Sequence, residues 1–261
     1  MKLSWMTYGV LKDLSRRDLL QTLGDHDVEG VEFRTDLGHG HGVEASLDDA
    51  ERRQVVADCR AAGIEIISVA TGNRYHDEAA SDLPDQIEQT KARMDLAADL
   101  GAPRVRVFGN NFPKDVPREK TIAQVADALQ ELCAYGVARA VRPCLELHGE
   151  FDWRSCRSVA ERVDHSNFGL IWNSVAEDVV DGSVAQALDA VWPWLNHVHM
   201  HDLAGQGYPY RELFRLLHQK GYAGYMSAEA ERSPDRGVGD RWMFAAYYAD
   251  LFRAYRDLAR G

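Results

Sequence analysis

The sequence predicts an α/β protein folded as a single (β/α)8 TIM barrel that spans residues 1–261. Eight short apolar runs recur along the chain, and a segment with helical periodicity follows each of them. This alternation is typical of a parallel sheet covered by helices, and eight repeats favour a closed barrel. A doubly wound sheet usually carries a G-x-G-x-x-G turn after its first strand, and none occurs here. No Ser/Gly-rich linker indicates a second domain.

The elements can be placed in order from these patterns. Strands are predicted at 3–8, 30–34, 64–70, 104–108, 143–147, 168–172, 195–200 and 224–229. Helices are predicted at 13–24, 46–62, 82–100, 117–140, 155–163, 182–192, 208–220 and 238–259. Ser46 and Asp82 stand where helix N-caps belong, and Gly63, Gly101 and Gly221 stand where helices end.

Composition limits the classes of partner and compartment. The formal net charge is −11, and such an acidic surface repels nucleic-acid phosphates and anionic lipids, so we expect neither as a partner. The N-terminus lacks the apolar run of a signal peptide, no stretch approaches the length of a membrane span, and the four cysteines form no C-x-x-C pair. We therefore expect a cytoplasmic protein that acts on a small molecule. The apolar segment 243–252 could be core or the interface of a homo-oligomer.

Polar side chains gather at the predicted strand ends, where (β/α)8 barrels carry their active sites. The segment NHVHMHD at 196–202 places three histidines on one side of strand seven, because side chains in a strand alternate. The candidates by strand are Glu32 and Arg34 on strand two, Glu146 and His148 on five, Asn173 on six, His199, His201 and Asp202 on seven, and Glu229 and Glu231 on eight.

Carboxylates and an imidazole from different strands suit a divalent cation. Oxygen-rich ligation favours Mn²⁺ or Mg²⁺, with Co²⁺ or Zn²⁺ possible. Such a cation polarises a carbonyl while two glutamates remove and return a proton on the neighbouring carbon. Burying so many acids on one axis without a cation or a substrate would penalise folding strongly. Arg34 and Arg106 either pair with these acids or contact substrate.

Five strand motifs resemble those of the xylose isomerase-like TIM-barrel superfamily, the sugar phosphate isomerase/epimerase group. They are GVEFR at 30–34, CLELH at 144–148, FGLIWN at 168–173, HVHMHD at 197–202 and GYMSAE at 224–229. The resemblance implies a metal held by Glu146, Asn173, His199 and Glu229. It also implies that Glu146 and Glu229 are the catalytic acid/base pair.

One position departs from that pattern, because Asn173 stands where the superfamily has an aspartate. An amide oxygen can ligate a hard cation but brings no charge. Three outcomes remain open: a weaker metal site, a site in which His148 or His201 replaces the missing acid, or a barrel without metal that uses Glu146 and Glu229 alone.

These observations predict an isomerase or epimerase of a ketose, an aldose or a sugar-derived polyol. A metal-dependent lyase or dehydratase acting on a keto-sugar or keto-inositol is an alternative, as is a degenerate metal-free barrel that only binds sugar. The expected substrate contacts lie on strand ends and the following loops: Arg34, His76, Asn110, His148, Asp152, His201 and Arg232.

Overall fold

The computed structural model describes residues 1–76, 82–205, 207–230 and 241–261, and it contains a closed barrel of eight parallel strands in chain order. Pairing of the last strand with the first closes the barrel. The prediction of a single (β/α)8 barrel is confirmed. The strands are β1 (Lys2–Met6), β2 (Gly30–Arg34), β3 (Glu65–Arg74), β4 (Arg104–Asn110), β5 (Arg142–Gly149), β6 (Gly169–Trp172), β7 (Leu195–Met200) and β8 (Tyr225–Ala228).

In the described ranges, eight α-helices surround the strands. They are α1 (Arg16–Asp25), α2 (Asp49–Ala61), α3 (Leu83–Leu100), α4 (Arg118–Val137), α5 (Trp153–Val163), α6 (Ala185–Val191), α7 (Tyr210–Gln219) and α8 (Arg241–Arg260). The N-cap of α2 is Asp48 rather than Ser46, because Asp48 and Glu51 form a reciprocal capping box. Asp82 precedes α3 without accepting a capping hydrogen bond, whereas Gly101 ends that helix in the left-handed conformation, with φ of 74°.

Strand β3 runs four residues beyond its predicted end at 70 and shifts register against β4 between Ala70 and Arg74. The extension brings Gly72 beside Arg34 on β2. A Cβ at position 72 would lie 3.0 Å from Arg34 Nη2, tighter than most real contacts. The glycine therefore leaves room for a guanidinium at this end of the barrel.

The main apolar core lies between the strands and the helices. Trp5 of β1, fully buried, packs edge-on against Phe244 and Tyr248 of α8, with ring centroids 6.1 and 5.3 Å away. Four free cysteines are buried in the structure, and burial raises the pKa of Cys59, Cys133 and Cys144 to about 12. Among the described residues, no helix has the length and apolar character required to cross a membrane.

Gly136 allows α4 to approach neighbouring segments closely. A Cβ there would lie 2.1 Å from the Val141 carbonyl oxygen and 2.5 Å from Met94 Cε. Gly136→Ala is expected to lower the free energy of unfolding by about 2 kcal/mol, because backbone must move to admit the methyl group. Urea denaturation followed by circular dichroism measures the change.

Gly24 in α1 provides the matched control, since a Cβ there meets no heavy atom within 4 Å. Gly24→Ala should raise the free energy of unfolding by about 0.5 kcal/mol through helix propensity. Equal unfolding midpoints for the two variants would contradict the packing argument.

Candidate active site

One layer of the barrel interior, deeper than the carboxyl ends of the strands and called the lower layer below, is filled by hydrogen-bonded polar side chains and not by apolar ones. Glu32 Oε2 on β2 accepts a hydrogen bond from Ser227 Oγ at 2.9 Å, and His197 Nε2 lies 3.2 Å from the same oxygen. Ser227 Oγ also lies 2.8 Å from Ser4 Oγ on β1. All four side chains have no exposed surface. Strands β1, β2, β7 and β8 are thereby joined along the barrel axis.

His199 stands above this layer and contacts three carboxylates. Its Nε2 lies 3.0 Å from Glu32 Oε2, while its Nδ1 lies 3.0 Å from Glu146 Oε1 and 3.4 Å from Glu229 Oε2. Burial lowers the pKa of His199, but the charges of Glu32 and Glu146 outweigh it and raise that pKa well above its ordinary value. The imidazole is thus fixed at both nitrogens, with Nδ1 directed at the two predicted catalytic glutamates.

Arg106 of β4 pairs with Glu146, one of the two glutamates of the predicted acid/base pair. Arg106 Nη1 donates to Glu146 Oε2 at 2.7 Å, and its guanidinium carbon lies 4.0 Å from the ring centroid of Phe108. Burial alone would raise the pKa of Glu146, but the charges of Arg106 and His199 lower it to about 2. Glu146 is therefore a carboxylate across the whole physiological pH range.

A cavity of about 300 Å³ opens at the carboxyl ends of the strands and reaches this group of residues. Glu229 lies in its wall, with 8% of its surface exposed. Glu229 Oε2 and Asn173 Oδ1 are buried and accept no hydrogen bond from any described residue. The described lining consists of Met6, Tyr8, Arg34, Leu37, Arg106, Phe108, His148 and Glu229.

Three predicted substrate contacts lie around the rim of the barrel. His148 lines the cavity, and its Nδ1 lies 2.8 Å from Asn110 Oδ1, so these two side chains are paired. His201 is half-buried, and its backbone N–H donates to the hydroxyl of Tyr210 at 2.8 Å. Of the three, His148 alone is among the described residues of the cavity wall.

The other predicted contacts are more dispersed. Asp152 is the N-cap of α5 and accepts from the Ser155 backbone N–H at 2.9 Å. His76 is buried two residues after the end of β3, and neither it nor Asp152 belongs to the described cavity lining. Arg34 does line the cavity. Arg232 lies outside the described residues.

Within the part of the chain that the structure describes, two groups of side chains have donor atoms within 4.8 Å of one another, as a metal ion requires. Glu32, His197 and His199 form the lower group, and Glu32 Oε2 there already has several hydrogen-bond partners. Glu146, His199 and Glu229 form the upper group, which reaches the cavity through Glu229. The buried Glu229 Oε2, which accepts no hydrogen bond from the described residues, makes the upper group the better fit for a divalent cation.

Arg106 and Glu32 were given no definite role from the sequence alone. The signal for Arg106 is the alternation RVRVF at 104–108, which turns a guanidinium and an aromatic ring to the same side of β4. The pairing of β4 with β5 then places Arg106 opposite Cys144, two residues before Glu146. Glu32 was visible as a strand-end acid, but its contact with His199 depends on the tilt of strands across the barrel.

A family model described as xylose isomerase-like TIM barrel matches residues 20–246. No curated protein matches the sequence. Solved structures that share the fold include D-psicose 3-epimerase from Clostridium cellulolyticum H10 with D-tagatose, at 15% identity, 99% coverage of each chain and a TM-score of 0.81. L-ribulose 3-epimerase aligns at 16% identity over 100% of this chain and 96% of its own, with a TM-score of 0.83.

A third similar structure holds a metal. The IOLI protein with a bound zinc atom aligns at 16% identity over 98% of this chain and 99% of its own, with a TM-score of 0.77. At sequence identities this low, the similarity of these three structures to the chain shows a common fold and nothing more.

Proposed function

Because the chain belongs to the xylose isomerase-like TIM barrel family, we propose that it is a sugar isomerase or epimerase acting on a ketose, an aldose or a sugar-derived polyol. The observation that carries this proposal is the placement of Glu146 and Glu229, which both approach His199 Nδ1. Glu229 lies in the cavity wall and Glu146 is fully buried. Two carboxylates positioned this way can exchange a proton with a carbon held between them. The epimerases among the similar structures support the same reaction class.

Glu146, His199 and Glu229 would hold the divalent cation, with Asn173 as a fourth, uncharged ligand. Asn173 follows β6, between the strands that carry Glu146 and His199, and its buried side-chain oxygen lacks a partner among the described residues. A bound divalent cation supplies positive charge to the oxygens of the substrate. Mn²⁺ or Mg²⁺ suits the three oxygen ligands, while Co²⁺ and Zn²⁺ also accept this mixed set.

The two glutamates differ in their surroundings and therefore in their proposed tasks. Glu229 borders the cavity and has an oxygen free of hydrogen bonds from the described residues, so it can take a proton directly from substrate. Glu146 is buried and held as a carboxylate by Arg106 and His199. A carboxylate has no proton to give, so Glu146 is better placed to orient the reacting group. It can return a proton to the substrate only after it has taken one from solvent or from a substrate hydroxyl.

Incubation with a panel of ketoses in deuterated water tests the proposal. With Mn²⁺ added, deuterium should enter the carbon beside the carbonyl of at least one sugar, and a new epimer or isomer should form. Mass spectrometry measures incorporation and chromatography identifies the product. Absence of exchange across the panel, with and without metal, would count against the proposal, and a conjugated enone absorbance would indicate a lyase instead.

A further inference from the structure

Two guanidinium groups face the same cavity from neighbouring parts of the barrel. Arg34 ends β2 and Arg106 lies on β4, with 9% and 2% of their surfaces exposed. Both line the 300 Å³ cavity together with Glu229 and His148. Burying two arginines is costly unless a partner compensates their charge, so their placement calls for an explanation.

Arg34 is held toward the cavity by fixed contacts. Its Nη1 donates to the carbonyl oxygen of Thr35 and, at 3.5 Å, to that of Ala70, while Gly72 leaves space beside Nη2. Its ion pair with Asp36 is long, at 3.7 Å, and Arg93 also contacts that carboxylate. Asp36 therefore compensates the charge of Arg34 incompletely.

Arg106 repels Arg34 across the cavity wall. Burial lowers the pKa of Arg34 to about 10, and the charge of Arg106 adds to this shift, so Arg34 remains cationic at neutral pH. Arg106 donates one nitrogen to Glu146, but its buried Nε donates to no described residue. In the described lining, the two arginines face a single carboxylate, Glu229, while Glu146 and Asp36, which pair with them, do not line the cavity.

We propose that Arg34 and Arg106 form an anion subsite, and that the substrate is a small sugar or polyol bearing a carboxylate or a phosphate. The fork of a guanidinium matches the paired oxygens of either anion, and a charge-assisted bond is about twice as strong as a neutral one. The sugar part of this inference rests on the proposed function. The anion subsite rests on the two arginines alone.

Isothermal titration calorimetry with matched probes tests the subsite without measuring turnover. D-Fructose is the neutral probe, D-fructose 6-phosphate carries a phosphate, and 5-keto-D-gluconate carries a carboxylate. At least one anionic probe should bind about tenfold more tightly than D-fructose. The arm that gains affinity identifies the anion, whereas equal affinity for all three probes would overturn the inference.

Arg34→Gln should remove that tenfold preference, and Gly72→Ala should weaken it by crowding the same guanidinium without changing charge. Arg157→Gln is the matched control, because it also removes one positive charge but lies in an exposed ion pair on α5, outside the described cavity lining. Loss of the preference in Arg157→Gln to the same extent as in Arg34→Gln would refute a specific subsite. The pair of glycine and arginine variants keeps the test valid if one of them fails to fold.

The outcomes separate this inference from the proposed function. Deuterium exchange into neutral ketoses without any anion preference would support the isomerase and reject the subsite. An Arg34-dependent anion preference without exchange into any sugar would support the subsite and reject the isomerase.

Discussion

Glu229→Gln is expected to lower kcat for deuterium exchange by about 10³-fold while leaving the stability of the protein nearly unchanged. The amide keeps the shape of the side chain but cannot accept the proton from substrate. The contact of Glu229 Oε2 with His199 Nδ1 is long, at 3.4 Å, and this oxygen accepts no hydrogen bond from the described residues, so removal of its charge should cost little stability. Exchange rates by mass spectrometry and thermal unfolding by calorimetry give the two measurements.

Glu146→Gln makes the informative comparison. This change removes the carboxylate that pairs with the buried Arg106 at 2.7 Å, so it should cost about 3 kcal/mol of stability as well as activity. Glu161→Gln, in an exposed ion pair on α5, is the control for loss of a negative charge and should alter neither quantity appreciably. If Glu229→Gln retained most of the exchange rate, Glu229 would not be the base.

Asn173→Asp is expected to change metal affinity and stability in opposite directions. The added carboxylate should tighten Mn²⁺ binding by about tenfold or more, because the number of charged ligands sets the affinity for hard cations. Without metal it adds an unpaired acid to a site that already buries Glu32, Glu146 and Glu229, so the free energy of unfolding should fall by about 2 kcal/mol. Calorimetric titration with Mn²⁺ and thermal unfolding in a chelator measure the two effects.

Asn173→Ala tests whether the Asn173 amide oxygen is a metal ligand. If the amide oxygen contacts the cation, the alanine variant should bind Mn²⁺ more weakly than the natural protein. Identical Mn²⁺ affinity in the natural, Ala and Asp proteins would exclude position 173 from the metal site and leave Glu146, His199 and Glu229 as its ligands.

The fold was predictable because each βα unit has its own local pattern. An apolar run such as 30–34 and the polar, periodic segment after it can be recognised without knowledge of long-range contacts. Eight such repeats then favour closure of the sheet into a barrel. The ends of elements were less predictable. Asp48 rather than Ser46 caps α2 because Glu51 completes a reciprocal pair, and β3 continues to Arg74 through contacts with its neighbours.

The positions of acids and histidines at the predicted strand ends also indicated which of them the barrel brings together. The sequence did not indicate which side-chain atoms contact one another. The proximity of Glu146, His199 and Glu229 follows from strand order. The contact of His199 Nε2 with Glu32, on the far side of the barrel, depends on strand tilt and side-chain rotamers. Whether Arg106 binds an acid or substrate was undecided in the sequence, and the structure shows that it pairs with Glu146.

The rate at which the buried thiols react with a reagent is an independent measure of opening of the barrel. Because Cys59, Cys133, Cys144 and Cys156 are enclosed and their raised pKa values keep them protonated at neutral pH, alkylating reagents can reach them only after local or global unfolding. Cys144 and Cys156 flank the segment that carries Glu146, whereas Cys59 lies on the distant helix α2. Pulsed alkylation, with the labelled cysteines identified peptide by peptide, can therefore show whether the site region opens before the rest of the barrel. The same measurement with added cation shows whether the cation slows that opening.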